Sequence, residues 1–176
     1  MNAKNQRYLF AYGSLMWRPG FEFVSARPAK LEGYHRRLAV FSNHYRGTDE
    51  KPGLVVGLDV GGECFGLIYE IATSHWEAVI DYVRKRELLG DVYDERELDF
   101  KILETGQPVA AVTYVVRHQS KQYVPAMEVE ALLPYINQGH GTMGSCKDYV
   151  TNTIIHLRQL GIHDADLERI APYVMQ

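Results

Sequence analysis

Apolar and polar residues follow two different periods along the chain, and the change of period separates strands from helices. Six runs rich in aromatic or branched side chains are typical of β-strands. They span residues 8–12, 29–42, 54–60, 63–71, 92–103 and 109–117. The Gly61-Gly62 pair between the third and fourth runs predicts a hairpin, because glycine adopts the backbone angles of tight turns.

A period of three to four residues begins at Ser74 and predicts a helix. Apolar residues recur on one face of this helix as far as Val83. Ser74 and Glu77 have the spacing of a capping box, in which the hydroxyl and the carboxylate bind the first free N–H groups. We expect the helix to end at residues 88–89, just before Gly90.

The last third of the chain is predicted to be helical. Helices are expected over residues 127–137, between Ser145 and Gly161, and from Asp164 onward. The Gly139–Gly144 segment matches GxGxxG by letter, but a dinucleotide-binding fingerprint follows a strand and this segment follows a helix. We therefore interpret it as a loop between helices. Strands first and helices last predict an α+β fold with a mainly antiparallel sheet or barrel, in one domain over residues 1–176.

Composition and charge narrow the class of function. The net charge of −3 and the pI near 6.2 give no basic footprint for nucleic acid. No apolar run approaches the ~20 residues that cross a bilayer, and the first residues lack the apolar core of a secretory signal. Cys64 and Cys146 have no metal-binding or redox spacing, and the seven histidines form no tight pair. We expect a cytoplasmic protein with two free thiols, no metal, no nucleic acid and no membrane attachment.

The first predicted strand ends at Tyr12, and Gly13-Ser14 breaks it. Glycine permits a positive φ or the close approach of a ligand, and serine favours local hydrogen bonds to the backbone. Unpaired N–H groups at such a turn can form a nest for an anion. From these residues alone, an ordinary strand end and an anion site are both compatible with the pattern.

Glu87 is the carboxylate that the pattern singles out. It lies among cations near the end of the predicted helix, where a glutamate is usually a solvated surface residue. Leu88 and Leu89 follow at once, so the segment is entering the core. The helix C-terminus also disfavours a negative charge, which raises a carboxyl pKa toward the range of a general base.

Four short segments occur in the same order as in a known enzyme family. They are YGSLMW at residues 12–17, KPGLVVGLD at 51–59, Arg86-Glu87 and Asp148-Tyr149. With these segments the chain resembles the ChaC family of glutathione-specific γ-glutamylcyclotransferases. The likeness extends from about Tyr8 to Val174.

The resemblance implies a γ-glutamylcyclotransferase-like fold, a mixed barrel with flanking helices. It implies a carbon–nitrogen lyase that cleaves glutathione to 5-oxoproline and cysteinylglycine without a metal or an organic cofactor. The catalytic glutamate of the family falls on Glu87, and a tyrosine that contacts the substrate falls on Tyr149. The substrate-holding loop falls on Leu9, Phe10, Ala11, Tyr12, Gly13 and Ser14, with Leu15 beside it.

Two places depart from the family pattern. Ala11 stands where the family usually has glycine before the loop tyrosine, and its methyl group would narrow the pocket. After Glu87 the family often has glycines and a tyrosine followed by arginine, whereas residues 88–94 here are longer and more acidic. We expect these departures to affect the preferred substrate rather than the type of reaction.

The chemistry of a γ-glutamyl amide explains why no nucleophilic side chain is needed. The substrate's own α-amino group can attack its γ-carbonyl and close a five-membered lactam. The protein must supply a base, donors for the oxyanion and an orientation that favours ring closure. We assign Glu87 as the base and the N–H groups of residues 13–15 to the oxyanion or to the substrate carboxylate. Tyr12 and Tyr149 would shape the pocket.

Two alternatives stay open from the sequence. The substrate could be another γ-glutamyl amide, such as a γ-glutamyl amino acid. The chain could also be a non-catalytic domain that binds a small acid or peptide in the same pocket. The presence of Glu87 argues against the second alternative.

Overall fold

The structure is a computed structural model that describes residues 6–176. It divides into two compact units, a barrel unit and a helical unit. The barrel unit comprises residues 6–35 together with Leu58–Arg117, and the helical unit comprises Arg36–Gly57 and His118–Gln176. The expectation that both units form one domain stays a prediction.

The elements follow the predicted order of strands and then helices. The strands are β1 (Gln6–Ala11), β2 (Ser25–Ser42), β3 (Gly53–Ala72), β4 (Tyr93–Ile102), β5 (Pro108–Val116), β6 (His140–Gly141) and β7 (Gly144–Ser145). The helices are α1 (Trp76–Glu87), α2 (Val129–Gln138), α3 (Cys146–Gln159) and α4 (Ala165–Val174).

Strands β1 to β5 form a closed barrel in the order β1-β3-β2-β4-β5. The β1–β3, β2–β4 and β4–β5 pairs are antiparallel, and single parallel contacts of β5 with β1 and β3 complete the closure. Closure pairs the outer strands β1 and β5 with each other, and a paired strand edge is protected from association with other chains. The predicted α+β class with a mainly antiparallel barrel is confirmed.

Strand β1 is buried on both of its faces at its second half. Leu9, Phe10 and Ala11 are each at most 1% exposed, although neighbouring side chains of a strand point to opposite sides. The Phe10 ring packs on Phe100 with 4.4 Å between centroids. The Thr113 hydroxyl donates to the Phe10 carbonyl, which ties β1 to β5. The end of β1 is therefore fixed in the core of the barrel unit.

The hairpin predicted at Gly61-Gly62 is wrong, because β3 continues through it as one strand. Both glycines have positive φ, 102° and 69°, so the strand bends there without reversing. A hairpin would require the two flanking runs to pair with each other. Instead, Leu58 pairs with Val115 of β5, while residues 67–72 pair with β1.

The capping box predicted at Ser74 is also wrong. Residues 73–75 form a 3-10 turn, α1 begins at Trp76, and no side chain caps its first N–H groups. The turn moves the helix start beyond the reach of the Ser74 hydroxyl. The predicted apolar face is confirmed, since it is buried as far as Val83. The helix ends at Glu87, and Gly90 follows with a φ of 85°.

The helical unit begins two of its helices as the sequence predicts. The Ser145 hydroxyl accepts the Asp148 N–H at the start of α3, and the Asp164 carboxylate accepts the Leu167 N–H at the start of α4. The segment before α3 forms the small β6–β7 hairpin. This confirms that it connects helices. A Cβ at Gly141 would lie 2.4 Å from the His44 carbonyl oxygen, so only glycine fits there.

Within residues 6–176, no helix is long and apolar enough to cross a membrane. The same residues contain no group of three or more His, Cys, Asp or Glu side chains placed to hold a metal ion.

Asp164 also pairs with the buried side chain of Arg36, and we expect this pair to stabilise the fold. The Arg36 guanidinium is 1% exposed and lies 2.9 Å from the Asp164 carboxylate. Asp164→Asn keeps an acceptor for the helix cap but removes the charge beside Arg36. We expect it to lower the free energy of unfolding by about 3 kcal/mol, the usual cost of breaking a buried pair. Urea unfolding measures this.

The matched control is Asp166→Asn in the same helix turn, where the side chain is exposed. It should cost about 0.5 kcal/mol or less. Equal losses in the two variants would contradict the importance of the Arg36 pair.

Candidate active site

Two tyrosine hydroxyls hold the turn that follows β1. The Tyr12 hydroxyl donates to the Tyr114 carbonyl at 2.9 Å. The Tyr69 hydroxyl lies 2.9 Å from the carbonyl oxygen of Leu15 and 3.0 Å from that of Met16. Because all these groups are buried, their hydrogen bonds are not exchanged for bonds to water. The turn is thereby fixed to the wall of the barrel.

The turn leaves N–H groups available at the point where the sequence predicts an anion site. Ser14–Met16 form a 3-10 turn. The carbonyl oxygen of Gly13 accepts the Met16 N–H, and that of Ser14 accepts the Arg18 N–H. The N–H groups of Ser14 and Leu15 open this turn and have no intrahelical acceptor. Among the backbone hydrogen bonds of loops and turns within residues 6–176, no carbonyl oxygen accepts from them. Gly13 has a φ of −126°, so the left-handed conformation that glycine permits is not used.

Glu87 is the last residue of α1 and is largely removed from water. One fifth of its side-chain surface remains exposed. Burial raises its pKa to about 6, and the charge of Arg86 offsets part of that rise. Burial, rather than the helix terminus considered from the sequence, is the leading cause. A carboxyl group with this pKa is ionised at neutral pH and is a stronger base than an ordinary glutamate.

Arg86 connects the turn to Glu87. Its guanidinium donates to the Ser14 hydroxyl oxygen at 2.8 Å and to the Arg18 carbonyl at 2.6 Å. Its Nε lies 3.7 Å from the Glu87 carboxylate. From the sequence, Arg86 is only part of the Arg86-Glu87 motif and has no assigned role. Its position beside Glu87 at the end of a helix was the available signal.

A second group that the sequence did not indicate is close enough to Glu87 to feel its charge. The Tyr114 hydroxyl donates to Glu95 at 2.9 Å, and Arg84 donates two bonds of 2.8 and 2.7 Å to the same carboxylate. Burial, then the hydrogen bond to Glu95, and then the charges of Glu95 and Glu87 raise the pKa of Tyr114, while the charge of Arg84 offsets part of that rise. The Tyr114 hydroxyl therefore stays neutral, so its contact with the Glu95 carboxylate does not bring two negative charges together.

The remaining predicted site residues occupy two different settings. Leu9, Phe10 and Ala11 lie within β1 with buried side chains, so they support the turn that follows them. Tyr149 lies in the helical unit, where its hydroxyl accepts the Val56 N–H at 3.1 Å. The Arg46 guanidinium lies 5.3 Å from the centre of its ring. Substrate contact by any of these residues stays a prediction.

Cys146 is poorly suited to act as a nucleophile. Its Sγ lies 3.1 Å from the Leu54 N–H nitrogen and 3.2 Å from the Leu54 carbonyl oxygen, inside the helical unit. Burial raises its pKa to about 11, so the thiolate is scarce at neutral pH. This favours a reaction that uses no nucleophilic side chain.

Comparison with known proteins agrees with the resemblance seen in the sequence. A family model described as ChaC-like protein matches residues 7–176. The chain belongs to the ChaC-like family. The family prediction is thereby confirmed over nearly the whole chain.

Three similar proteins illustrate the range of this family. A glutathione-specific γ-glutamylcyclotransferase of Escherichia coli is 28% identical over 162 residues, which cover 91% of this chain and 69% of that protein. Gamma-glutamylcyclotransferase 2-3 of Arabidopsis thaliana is 31% identical, covering 95% and 87%. A crystal structure of a yeast γ-glutamyl cyclotransferase specific to glutathione shares the fold, with a TM-score of 0.87 and 20% identity over 97% of this chain and 96% of that one.

The burial of Glu87 in this ChaC-like chain generates a prediction about stability that does not depend on activity. Its pKa rises from 4.5 unfolded to about 6 folded, so the folded state disfavours the carboxylate. At about 1.4 kcal/mol per pKa unit, the ionised form costs about 2 kcal/mol above pH 6 and nothing below pH 4.5. Glu87→Gln should therefore be more stable than the unchanged protein by up to about 2 kcal/mol at pH 8, and equally stable at pH 4.

Denaturant unfolding at the two pH values measures this difference. The control is Glu77→Gln, an exposed residue in the first turn of the same helix. It should change stability by about 0.5 kcal/mol or less at both pH values. A loss of stability in Glu87→Gln at pH 8 would contradict the buried-carboxylate account.

Proposed function

We propose that this protein is a glutathione-specific γ-glutamylcyclotransferase that releases 5-oxoproline and cysteinylglycine. Membership of the ChaC-like family supports the proposal, as do the relatives whose names state this activity. The observation that carries it is the largely buried Glu87 carboxyl group, held next to the Ser14 turn through Arg86. A base and a set of N–H donors are the two features that an internal cyclisation requires.

In the proposed reaction the substrate provides both the nucleophile and the electrophile. A C–N bond forms between the α-amino nitrogen and the γ-carbonyl carbon, and the amide bond to cysteine breaks. Two protons leave the α-ammonium nitrogen, one before the attack and one as the lactam forms. Both go to the leaving nitrogen, so cysteinylglycine departs with an ammonium group and atoms and charge balance without water. Holding the γ-glutamyl chain in a ring-like conformation removes much of the entropic barrier.

Glu87 would carry each proton from the attacking nitrogen to the leaving one. An α-ammonium group has no lone pair, so attack requires that a base remove a proton first. Each pKa unit by which Glu87 is raised toward that of the amine lowers the cost of this transfer by about 1.4 kcal/mol. The protonated Glu87 then stands ready to donate to the departing nitrogen.

The Ser14 turn would bind the negative oxygen of the substrate. The N–H groups of Ser14 and Leu15 point from a fixed turn and need no reorganisation when charge develops. One missing donor of this kind typically costs 10²–10³-fold in turnover, about 3–4 kcal/mol. The oxyanion of the tetrahedral intermediate and the α-carboxylate are both suitable occupants.

Glutathione turnover tests the proposal directly. The unchanged protein should release 5-oxoproline and cysteinylglycine in equal amounts, measured by chromatography. Glu87→Gln has nearly the same shape but cannot accept the proton, so it should fold and lose about 10²–10⁴-fold in turnover. The exposed Glu77→Gln should keep full activity.

Other outcomes would point elsewhere. Near-normal 5-oxoproline release by Glu87→Gln would refute the role of Glu87. Activity on γ-glutamyl amino acids but not on glutathione would show that the substrate is a different γ-glutamyl amide and that the type of reaction is unchanged. Saturable glutathione binding without product would indicate a binding domain instead.

A further inference from the structure

We propose that Arg86 is a positioning residue that fixes the Ser14 turn against Glu87 and directs the Ser14 hydroxyl toward the anionic oxygen of the substrate. This inference rests on the proposed function and adds two side-chain groups to its site, the Arg86 guanidinium and the Ser14 hydroxyl. It is drawn from contacts within the barrel unit.

The two shortest hydrogen bonds of Arg86 go to the Ser14 turn and to Arg18 rather than to the carboxylate beside it. A longer one of 3.5 Å goes to the Tyr82 hydroxyl. Two different nitrogens of the guanidinium donate, one to the Arg18 carbonyl and one to the Ser14 hydroxyl. The distance of 3.7 Å between its Nε and the Glu87 carboxylate is too long for a hydrogen bond. A planar fork with fixed angles is required to reach both acceptors at once, and lysine does not have one.

This arrangement decides where the Ser14 hydroxyl hydrogen goes. A guanidinium group has no lone pair, so the Ser14 oxygen is the acceptor in their contact. Its own hydrogen must then be donated to a different group. Because the Ser14 and Leu15 N–H groups open the same turn, the hydroxyl adds a third donor for a carboxylate or an oxyanion there.

The same arrangement limits how strongly Arg86 acts on Glu87. Within the described residues, the charged and titratable groups that act on Glu87 are Arg86 on its own helix and Tyr114 on β5. Ser14 and Glu87 compete for one guanidinium. A guanidinium released from Ser14 would turn to Glu87 and form a direct charge-assisted pair, which would weaken the base. By accepting a hydrogen bond from Arg86, Ser14 therefore keeps the guanidinium from pairing with Glu87 and so preserves the basicity of that carboxylate.

Three variants separate these effects through the pH dependence of kcat/KM for glutathione. Arg86→Met removes the charge, so the pKa of the acidic limb should rise, by about half a unit to one unit. Ser14→Ala frees the guanidinium for Glu87, so the same pKa should fall. Arg86→Lys keeps the charge but loses the fork, so KM should rise about tenfold, as it should in Arg86→Met, whereas the pKa of the limb should not rise as it does in Arg86→Met.

Lys85→Met is the matched control, because it removes a neighbouring cation from the same helix. The Lys85 side chain is 76% exposed and pairs with Asp81 at 2.7 Å, one turn away. Its KM and its pH profile should match those of the unchanged protein. If Arg86 and Ser14 only stabilised the fold, all three test variants would lose activity. The pKa of the acidic limb would then not rise in Arg86→Met and fall in Ser14→Ala.

The inference and the proposed function fail in different ways. No 5-oxoproline from the unchanged protein would overturn the proposed function. Normal activity of the unchanged protein, with an unchanged KM and limb in both Arg86 variants, would overturn the inference alone. If Arg86→Met does not fold, Arg86→Lys and Ser14→Ala decide the question, and a wild-type KM with a wild-type limb in both would overturn it.

Discussion

The removal of the Glu87 carboxylate from water is the interaction on which the rest of the site depends. An ionised carboxylate that is shielded from water destabilises the folded protein. Groups of this kind are found mainly at functional sites. Here the helix that carries Glu87 is buried along one face as far as Val83, so its last turn is held close to the barrel. The fold thereby supplies a base whose pKa, about 6, lies nearer to neutral pH than that of an exposed glutamate.

The donors that would complement this base are fixed by the wall of the barrel. Tyr69 and Tyr12 bind the turn after β1 through their hydroxyl groups, and both bonds are buried. Arg86 then joins the turn to the helix end. A cyclisation needs little chemistry from the protein beyond a proton acceptor, fixed dipoles and a restricted substrate. These parts come from a strand end, a helix end and one arginine.

The sequence predicted the features that depend on local pattern. The end of β1, the burial of one face of α1 and the caps at Ser145 and Asp164 follow from short-range periodicity and capping chemistry. The continuity of β3 through Gly61 could not be read locally, because a bend and a reversal use the same residue and only the pairing partners distinguish them. The contact of Arg86 with Ser14 spans 72 residues and no short-range pattern encodes it.

The pH dependence of kcat/KM for 5-oxoproline release from glutathione tests the central claim most directly. Because kcat/KM reports the ionisation of the free enzyme, its acidic limb should follow the titration of Glu87. The account predicts that activity rises with pH through an apparent pKa of about 6 and that the limb is absent in the residual activity of Glu87→Gln. A limb at the ordinary glutamate pKa of 4.5, or one that persists in Glu87→Gln, would contradict it.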